Sequence, residues 1–262
     1  MKITTTLFLL FIPLFALSQW NQIGANIIAE TASDRYGISV AMDASGNRVV
    51  IGGDKNNGNG SDSGHVRVFE NIGGVWTQIG SDINGEASGD NFGYAVSIND
   101  NGTIIAVGAP SNDGNGTRAG HVRVYEEIAG VWTQIGSDID GDIGGNNAGY
   151  GVSINGAGNI VAVGIPDNGS NNIPGYVRVF ENIGGVWTQI GTDINGEAAG
   201  DSSGESISLN NTGNIIAIGA RHNDGNGNNS GHIRVYENIG GVWTQIGSDI
   251  DGEASWDWFG YS

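Results

Sequence analysis

The chain has 262 residues, no cysteine, a formal charge of −18 and 47 glycines against only ten lysines and arginines. A surface this acidic repels DNA, RNA and anionic lipid headgroups, and without cysteine neither disulfides nor thiol catalysis is available. The glycines follow no collagen triplet, and apolar residues recur in orderly groups, which speaks against disorder.

Residues 1–18 read as an export signal. Lys2 gives a positive start, Leu7 to Leu17 is an apolar run, and Ala16-Leu17-Ser18 sets small residues before a cut at Gln19. The run is shorter than the roughly 20 residues that span a bilayer. The mature chain, 19–262, is therefore expected to be secreted or held at the cell surface, with no membrane insertion after signal removal and a charge of −19.

From Trp20 onward the sequence repeats itself. A Trp-X-Gln-Ile-Gly phrase starts at Trp20, Trp76, Trp132, Trp187 and Trp243, at spacings of 56, 56, 55 and 56 residues. A second phrase, Gly-[His/Tyr]-[Val/Ile]-Arg-Val-[Phe/Tyr]-Glu, starts at Gly64, Gly120, Gly175 and Gly231. So regular a period means one supersecondary unit stacked several times.

In the second copy, Phe92 to Asn99 predicts a short strand A, and Asp100-Asn101-Gly102 a turn. Thr103 to Ala109 is a near-continuous apolar run, as expected of a strand B covered on both faces. His121 to Glu126 alternates as strand C, and Val131 to Gly136 follows the Ile128-Ala129-Gly130 turn as strand D. No later segment shows a helical period. The fold class is all-β: a β-propeller of four-stranded blades on a period of about 56 residues, with four full blades present. Small residues on strand A (Ala95 and Ser97, Gly151 and Ser153, Ser206 and Ser208) suit crowding at a propeller axis. A WD40 array is excluded, because the repeated Trp precedes Thr or Asn and never Asp.

Phe92-Gly93 opening strand A and Gly108-Ala109-Pro110 closing strand B resemble the FG-GAP repeat, found in integrin α-subunit propellers and in secreted bacterial proteins. Degraded copies stand at Tyr36-Gly37, Ala148-Gly149, Ser203-Gly204 and Phe259-Gly260. The resemblance implies a seven-bladed ring, an adhesive or ligand-binding role, and calcium held between strands A and B. The calcium does not carry over. The turns here, Asp43-Ala44-Ser45-Gly46, Asn99-Asp100-Asn101-Gly102, Asn155-Gly156-Ala157-Gly158 and Asn210-Asn211-Thr212-Gly213, lack the several carboxylates that six to eight oxygen ligands require. A strand D at Trp20 precedes any A, B or C, and a fifth strand A has barely opened at Ser262. The expectation is a fragment of a larger ring, the other reading a four-bladed ring with a loose first strand.

The long D–A and B–C loops fall at one end of the blades, where binding usually resides. Candidate binding residues there are Glu86, Asp90, Glu197 and Asp201, from a recurring Glu-then-Asp pattern whose simpler reading is turn-forming carboxylates, and the repeat-breaking Trp256 and Trp258, whose other reading is contact with a further blade. Asp138, Asp140 and Asp142 alternate in a way that suits a calcium ion, the one cofactor considered. The turns around Asp113 and Asp224 read as structural. His65, His121 and His232 share a repeated position and read as strand-end structure; Arg67, Arg123, Arg178 and Arg234 should each meet a repeated carboxylate. The five periodic tryptophans read as scaffold packed between blades or over the outer wall. No motif sets a nucleophile beside a base. The expected function is non-enzymatic binding of an extracellular protein or glycan in adhesion or interaction, with no nucleic acid. The alternatives are a secreted carbohydrate-active enzyme using loop carboxylates and a structural module of a longer surface protein.

Overall fold

The computed structural model describes residues 20–166 and 171–262; the expected signal, 1–18, lies outside them. Four antiparallel sheets follow one another along the chain. Blade 1 holds β1 (Ser39–Met42), β2 (Arg48–Gly53), β3 (His65–Ile72), β4 (Val75–Gln78) and β5 (Ile83–Asn84). Blade 2 holds β6 (Ala95–Ile98), β7 (Ile104–Ala109), β8 (His121–Ile128), β9 (Val131–Gln134) and β10 (Ile139–Asp140). Blade 3 comprises β11 (Val152–Ile154), β12 (Ile160–Ile165), β13 (Tyr176–Ile183), β14 (Val186–Gln189) and β15 (Ile194–Asn195). Blade 4 comprises β16 (Ser206–Leu209), β17 (Ile215–Ala220), β18 (His232–Ile239), β19 (Val242–Gln245) and β20 (Ile250–Asp251).

The outermost strand departs from the expectation of one continuous strand D. It breaks after Gln78, then returns to the other half of the long third strand, where Ile83 faces Val66 and Asn84 faces His65. A two-residue ladder has no readable period, but it places Asp82 beside the start of β3. The third and fourth strands join through two-residue turns with both residues at positive φ: Gly73-Gly74, Ala129-Gly130, Gly184-Gly185 and Gly240-Gly241. Such primed turns match the twist of the strands they connect.

The core lies between sheets. Val50, Val66 and Val68 of blade 1 pack on Phe92, Val96, Ile105 and Val107 of blade 2, and the pattern recurs down the stack. The innermost strands β1, β6, β11 and β16 neighbour one another in series. Phe92 is wholly buried, and Gly64 bridges to it in parallel across the blade boundary. The next residue shows what the repeated glycines do. A Cβ on Gly108 would stand 2.0 Å from the carbonyl oxygen of Gly149 in the following blade, and one on Gly52 would stand 1.9 Å from that of Gly93. Gly164 with Gly204, and Gly219 with Gly260, repeat this backbone contact. The motif is thus a lock in which a glycine at the end of strand B receives the glycine that opens the next strand A.

The tryptophans close the outer wall, as the sequence implied. The indole N–H of Trp132 donates to Ile79 O at 3.0 Å, Trp187 to Ile135 O at 2.8 Å and Trp243 to Ile190 O at 2.9 Å, each reaching one blade back. Trp76 makes the same bond to Ile23 O at 2.9 Å. The expected strand D at Trp20 is not a strand: among the described residues it pairs with none, and Trp20 is 98% exposed. At the opposite end of the blades the turns are short. Asn99 Oδ1 accepts the backbone N–H groups of Thr103 and Ile104 at 2.9 Å each, so the first A–B residue caps strand B.

Candidate functional site: the long-loop face

Each repeated arginine sits where three segments meet. In blade 2, Arg123 Nε and Nη2 donate to the two Asp138 oxygens at 2.9 and 2.8 Å, and Gln134 adds a bond of 2.7 Å. Glu86, on the loop arriving from blade 1, pairs with the same guanidinium. Arg67 takes Asp82 and Glu30 in the same way, and Arg234 takes Asp249 and Glu197. Arg178 grips Asp193 at 2.9 and 3.1 Å and Asp142 at 2.8 and 2.6 Å, both bidentate. Planar guanidinium suits this fork geometry in a way ammonium does not. The repeated partner carboxylate anticipated from sequence is therefore two carboxylates, one within the blade and one from the preceding unit.

Beneath these pairs lie His65, His121 and His232, all essentially fully buried, with Nδ1 3.6–3.8 Å from the blade's own aspartate. Burial pushes each imidazole below its ordinary pKa, against the pull of that aspartate. Burial tends to raise Asp138 and Asp193, yet hydrogen bonds from Arg and Gln hold both below the usual carboxylate range. Three Glu–His–Asp groups here have metal-ligand composition, Glu86–His121–Asp138 among them. In each, the arginine already supplies the positive charge that a metal would bring.

The loop carboxylates expected to bind a partner are structural. Asp90 is buried and accepts Ala87 N–H at 3.1 Å and the Asn112 amide at 3.0 Å. Asp201 does the same with Ala198 at 3.0 Å and Asn223 at 2.9 Å. Glu86 and Glu197 are held by Arg123 and Arg234. These four residues bind blade to blade, the turn-forming alternative recognised in the sequence. The alternation Asp138, Asp140, Asp142 does not converge on a cation either. Asp138 faces Arg123, Asp142 reaches across to Arg178 of blade 3, and Asp140 lies on β10 opposite His121, where burial and Asp138 raise its pKa.

What the repeat does not need collects elsewhere on the same face. The residues after four of the strand-A glycines are Tyr94, Tyr150, Glu205 and Tyr261, with Ile38 in the first copy. The Tyr94 and Tyr150 rings lie 4.6 Å apart at 51°, and burial raises both hydroxyl pKa values. Glu205 is almost inaccessible, and burial raises its pKa although Arg221 Nε stands 2.7 Å from Oε2. The Arg221 guanidinium also lies 4.9 Å from the Tyr261 ring and 5.8 Å from Trp258, which meets His222 edge-on at 6.3 Å. Trp258 thus joins an aromatic–cation cluster and remains 46% exposed; Trp256, 61% exposed, has no ring or guanidinium contact among the described residues. Beside them a polar cavity of about 500 Å³ opens between loop 197–201 and loop 222–229, walled by Glu197, Asp201, His222 and Asp224. Sequence reasoning found Trp258 as a break in the repeat but missed Glu205 and Arg221, although both break it too, standing where other copies carry Tyr94 and Pro110.

Residues 84–125 match the FG-GAP repeat family. No curated protein matches the sequence. Among solved structures, the periplasmic gluconolactonase PpgL of Pseudomonas aeruginosa is similar at TM-score 0.55 and 13% identity, over 81% of this chain and 56% of that one. A Bacteroides uniformis ATCC 8492 protein assigned as a 6-phosphogluconolactonase gives 0.54 and 11%, over 81% and 54%. KlAtg21, solved with the coiled coil of AgAtg16, gives 0.52 and 14%, over 81% and 57%. The chain spans just over half the length of these proteins, and at such identities the likeness is one of fold. Four stacked antiparallel blades, the glycine lock between them and the family match together make this chain a β-propeller that carries an FG-GAP repeat at residues 84–125.

Proposed function

We propose that this chain is an exported, non-enzymatic binding module that holds an extracellular protein or glycan on its long-loop face, in cell-surface adhesion or interaction. One observation carries the reading: residues that depart from the repeat, Glu205, Arg221, His222 and Trp258, gather in one place on that face. A feature present in every unit serves the unit, whereas one present in a single copy is free to serve a ligand. Trp258 and Tyr261 are about half exposed, and tryptophan, tyrosine and arginine are the side chains enriched where partners dock. Export rests on residues 1–18, and among the described residues no helix is long and apolar enough to cross a membrane.

The enzymatic alternative, a carbohydrate-active enzyme using loop carboxylates, has less support, since Glu86, Asp90, Glu197 and Asp201 are engaged by arginine, asparagine and backbone N–H groups. The test pairs a glycan array and an extracellular-protein panel with a turnover screen on polysaccharides and lactones. Binding weakened by Trp258→Ala at unchanged melting temperature is the expected result. Turnover abolished by a single carboxylate-to-amide change would overturn the reading.

A further inference from the structure

Apart from Lys2, the chain has nine cationic side chains. Five are committed to the scaffold, Arg67, Arg123, Arg178 and Arg234 in the blade clasps and Arg48 with Glu70 and Glu127, and Arg221 belongs with Glu205 to the Trp258 cluster. The remaining three, Arg35, Lys55 and Arg118, come from different loops and all line one cavity of about 310 Å³, together with Tyr94, Tyr150 and Ser111. Asp54 is the only carboxylate in that lining.

None of the three cations is required by the repeat. Where Arg35 stands, later copies have Asn91, Asn147, Ser202 and Trp258; Ser111, Asp167 and His222 replace Lys55; Asp62 and Asn229 replace Arg118. Arg35 and Arg118 also hold the left-handed backbone region, at φ of 49° and 56°, where asparagine is the easier residue. Two of the cations have carboxylate partners, Arg35 the buried Asp54 at 3.2 Å and Lys55 the partly exposed Asp62 at 3.1 Å. Arg118 has no ion pair among the described residues, although its backbone N–H is fixed by Asp113 Oδ1 at 2.7 Å. The cavity wall is held independently of them, because the side-chain amides of Asn91 and Asn147 donate to Asp54 O and Pro110 O at 3.2 and 2.9 Å.

Resting on the long-loop binding reading, we propose that this cavity takes the carboxylate or sulfate of an anionic sugar. In a chain of charge −18, three cations converging on one concave site are a local reversal of sign that favours an anion. An unpaired arginine supplies the planar, bidentate grip that carboxylate and sulfate oxygens accept. Also in the lining, Tyr94 and Tyr150 offer ring faces to a sugar and Ser111 a hydroxyl, beside Asn91, Asn147 and Pro110, and the volume fits a single saccharide unit at the small end of ligand cavities. The lining has no pocket of aliphatic side chains to receive those of a peptide.

Calorimetric titration of the full chain would use four probes: trigalacturonate, a sulfated trisaccharide, a neutral trisaccharide and hexaglutamate. The expected result is binding of a charged sugar, weakened at least tenfold by Arg118→Gln and by added salt, with the neutral sugar silent and the melting temperature of the variant unchanged. The two charged sugars distinguish carboxylate from sulfate as the anion. Hexaglutamate binding as tightly as either would overturn the assignment to sugar. Neutral-sugar binding indifferent to Arg118→Gln but lost in Trp258→Ala would overturn the anionic site and leave the long-loop reading standing. Silence of all four probes also overturns the inference, while the long-loop reading keeps its separate test at Trp258.

Discussion

The glycine lock makes a quantitative claim about Gly108→Ala. The new methyl would begin 2.0 Å from Gly149 O, whereas ordinary contact starts at 3.4 Å, so blades 2 and 3 must part locally by about 1.4 Å. A gap of 0.5–1 Å already forfeits a quarter to a half of a dispersion contact, and the atoms opposite are backbone that cannot rotate away. The cost should therefore exceed the 1–3 kcal/mol usual for overpacking, and we expect roughly 4 kcal/mol. Gly89→Ala is the control: nothing lies within 4 Å of its Cβ, and only its φ of 92° is unfavourable, which costs about 1–2 kcal/mol. Urea unfolding followed by tryptophan fluorescence measures both. If Gly108→Ala loses no more stability than Gly89→Ala, the lock is not what spaces the blades.

Three further outcomes follow from the same geometry. Trp132→Phe should cost about 1 kcal/mol by leaving Ile79 O without its donor, while Trp20→Phe, in the same phrase but 98% exposed, should be silent in the same melt. Asp193→Asn should cost more than Asp142→Asn, about 1–2 against less than 1 kcal/mol, because Asp142 is half exposed and water screens its share of Arg178; thermal unfolding of each variant reads the difference. Stability should be level near neutral pH and fall on acidification: the three buried imidazoles have lowered folded pKa values, so the unfolded chain takes up protons first, from about pH 6.5 downward. A pH series of melts should show this loss beginning well above the carboxylate range, and a flat profile from pH 7 to 5 would contradict it.

The blades were legible because periodicity reports burial directly: β7 and β12 are apolar runs covered on both faces, and their flanking turns are marked by Asn and Gly. Repetition also separated scaffold from departure, which is why the tryptophans, histidines and arginines were placed correctly as structural. The carboxylates were harder. Glu86 meets Arg123 across 37 positions and Asp138 meets it across 15, so no local pattern joins the two. The spacing of Asp138, Asp140 and Asp142 has the look of a chelating loop, yet the broken outer strand turns alternate side chains toward separate neighbours. The axial cluster was half visible, since Trp258 is conspicuous by size, whereas Glu205 and Arg221 gain meaning only once neighbouring strands A bring their first residues together.

Every clasp in this molecule joins a unit to the one beside it: Glu86 reaches blade 2, Asp142 blade 3 and Glu197 blade 4. The bonding vocabulary at one boundary is nearly that at the next. A gene segment encoding one period can therefore be duplicated or lost by recombination in register, and each surviving junction still finds its glycine, its indole and its arginine. Such a chain can change length without inventing a new interface, and its individuality is left to the few side chains, Arg118, Glu205 and Trp258 among them, that tell one copy from another.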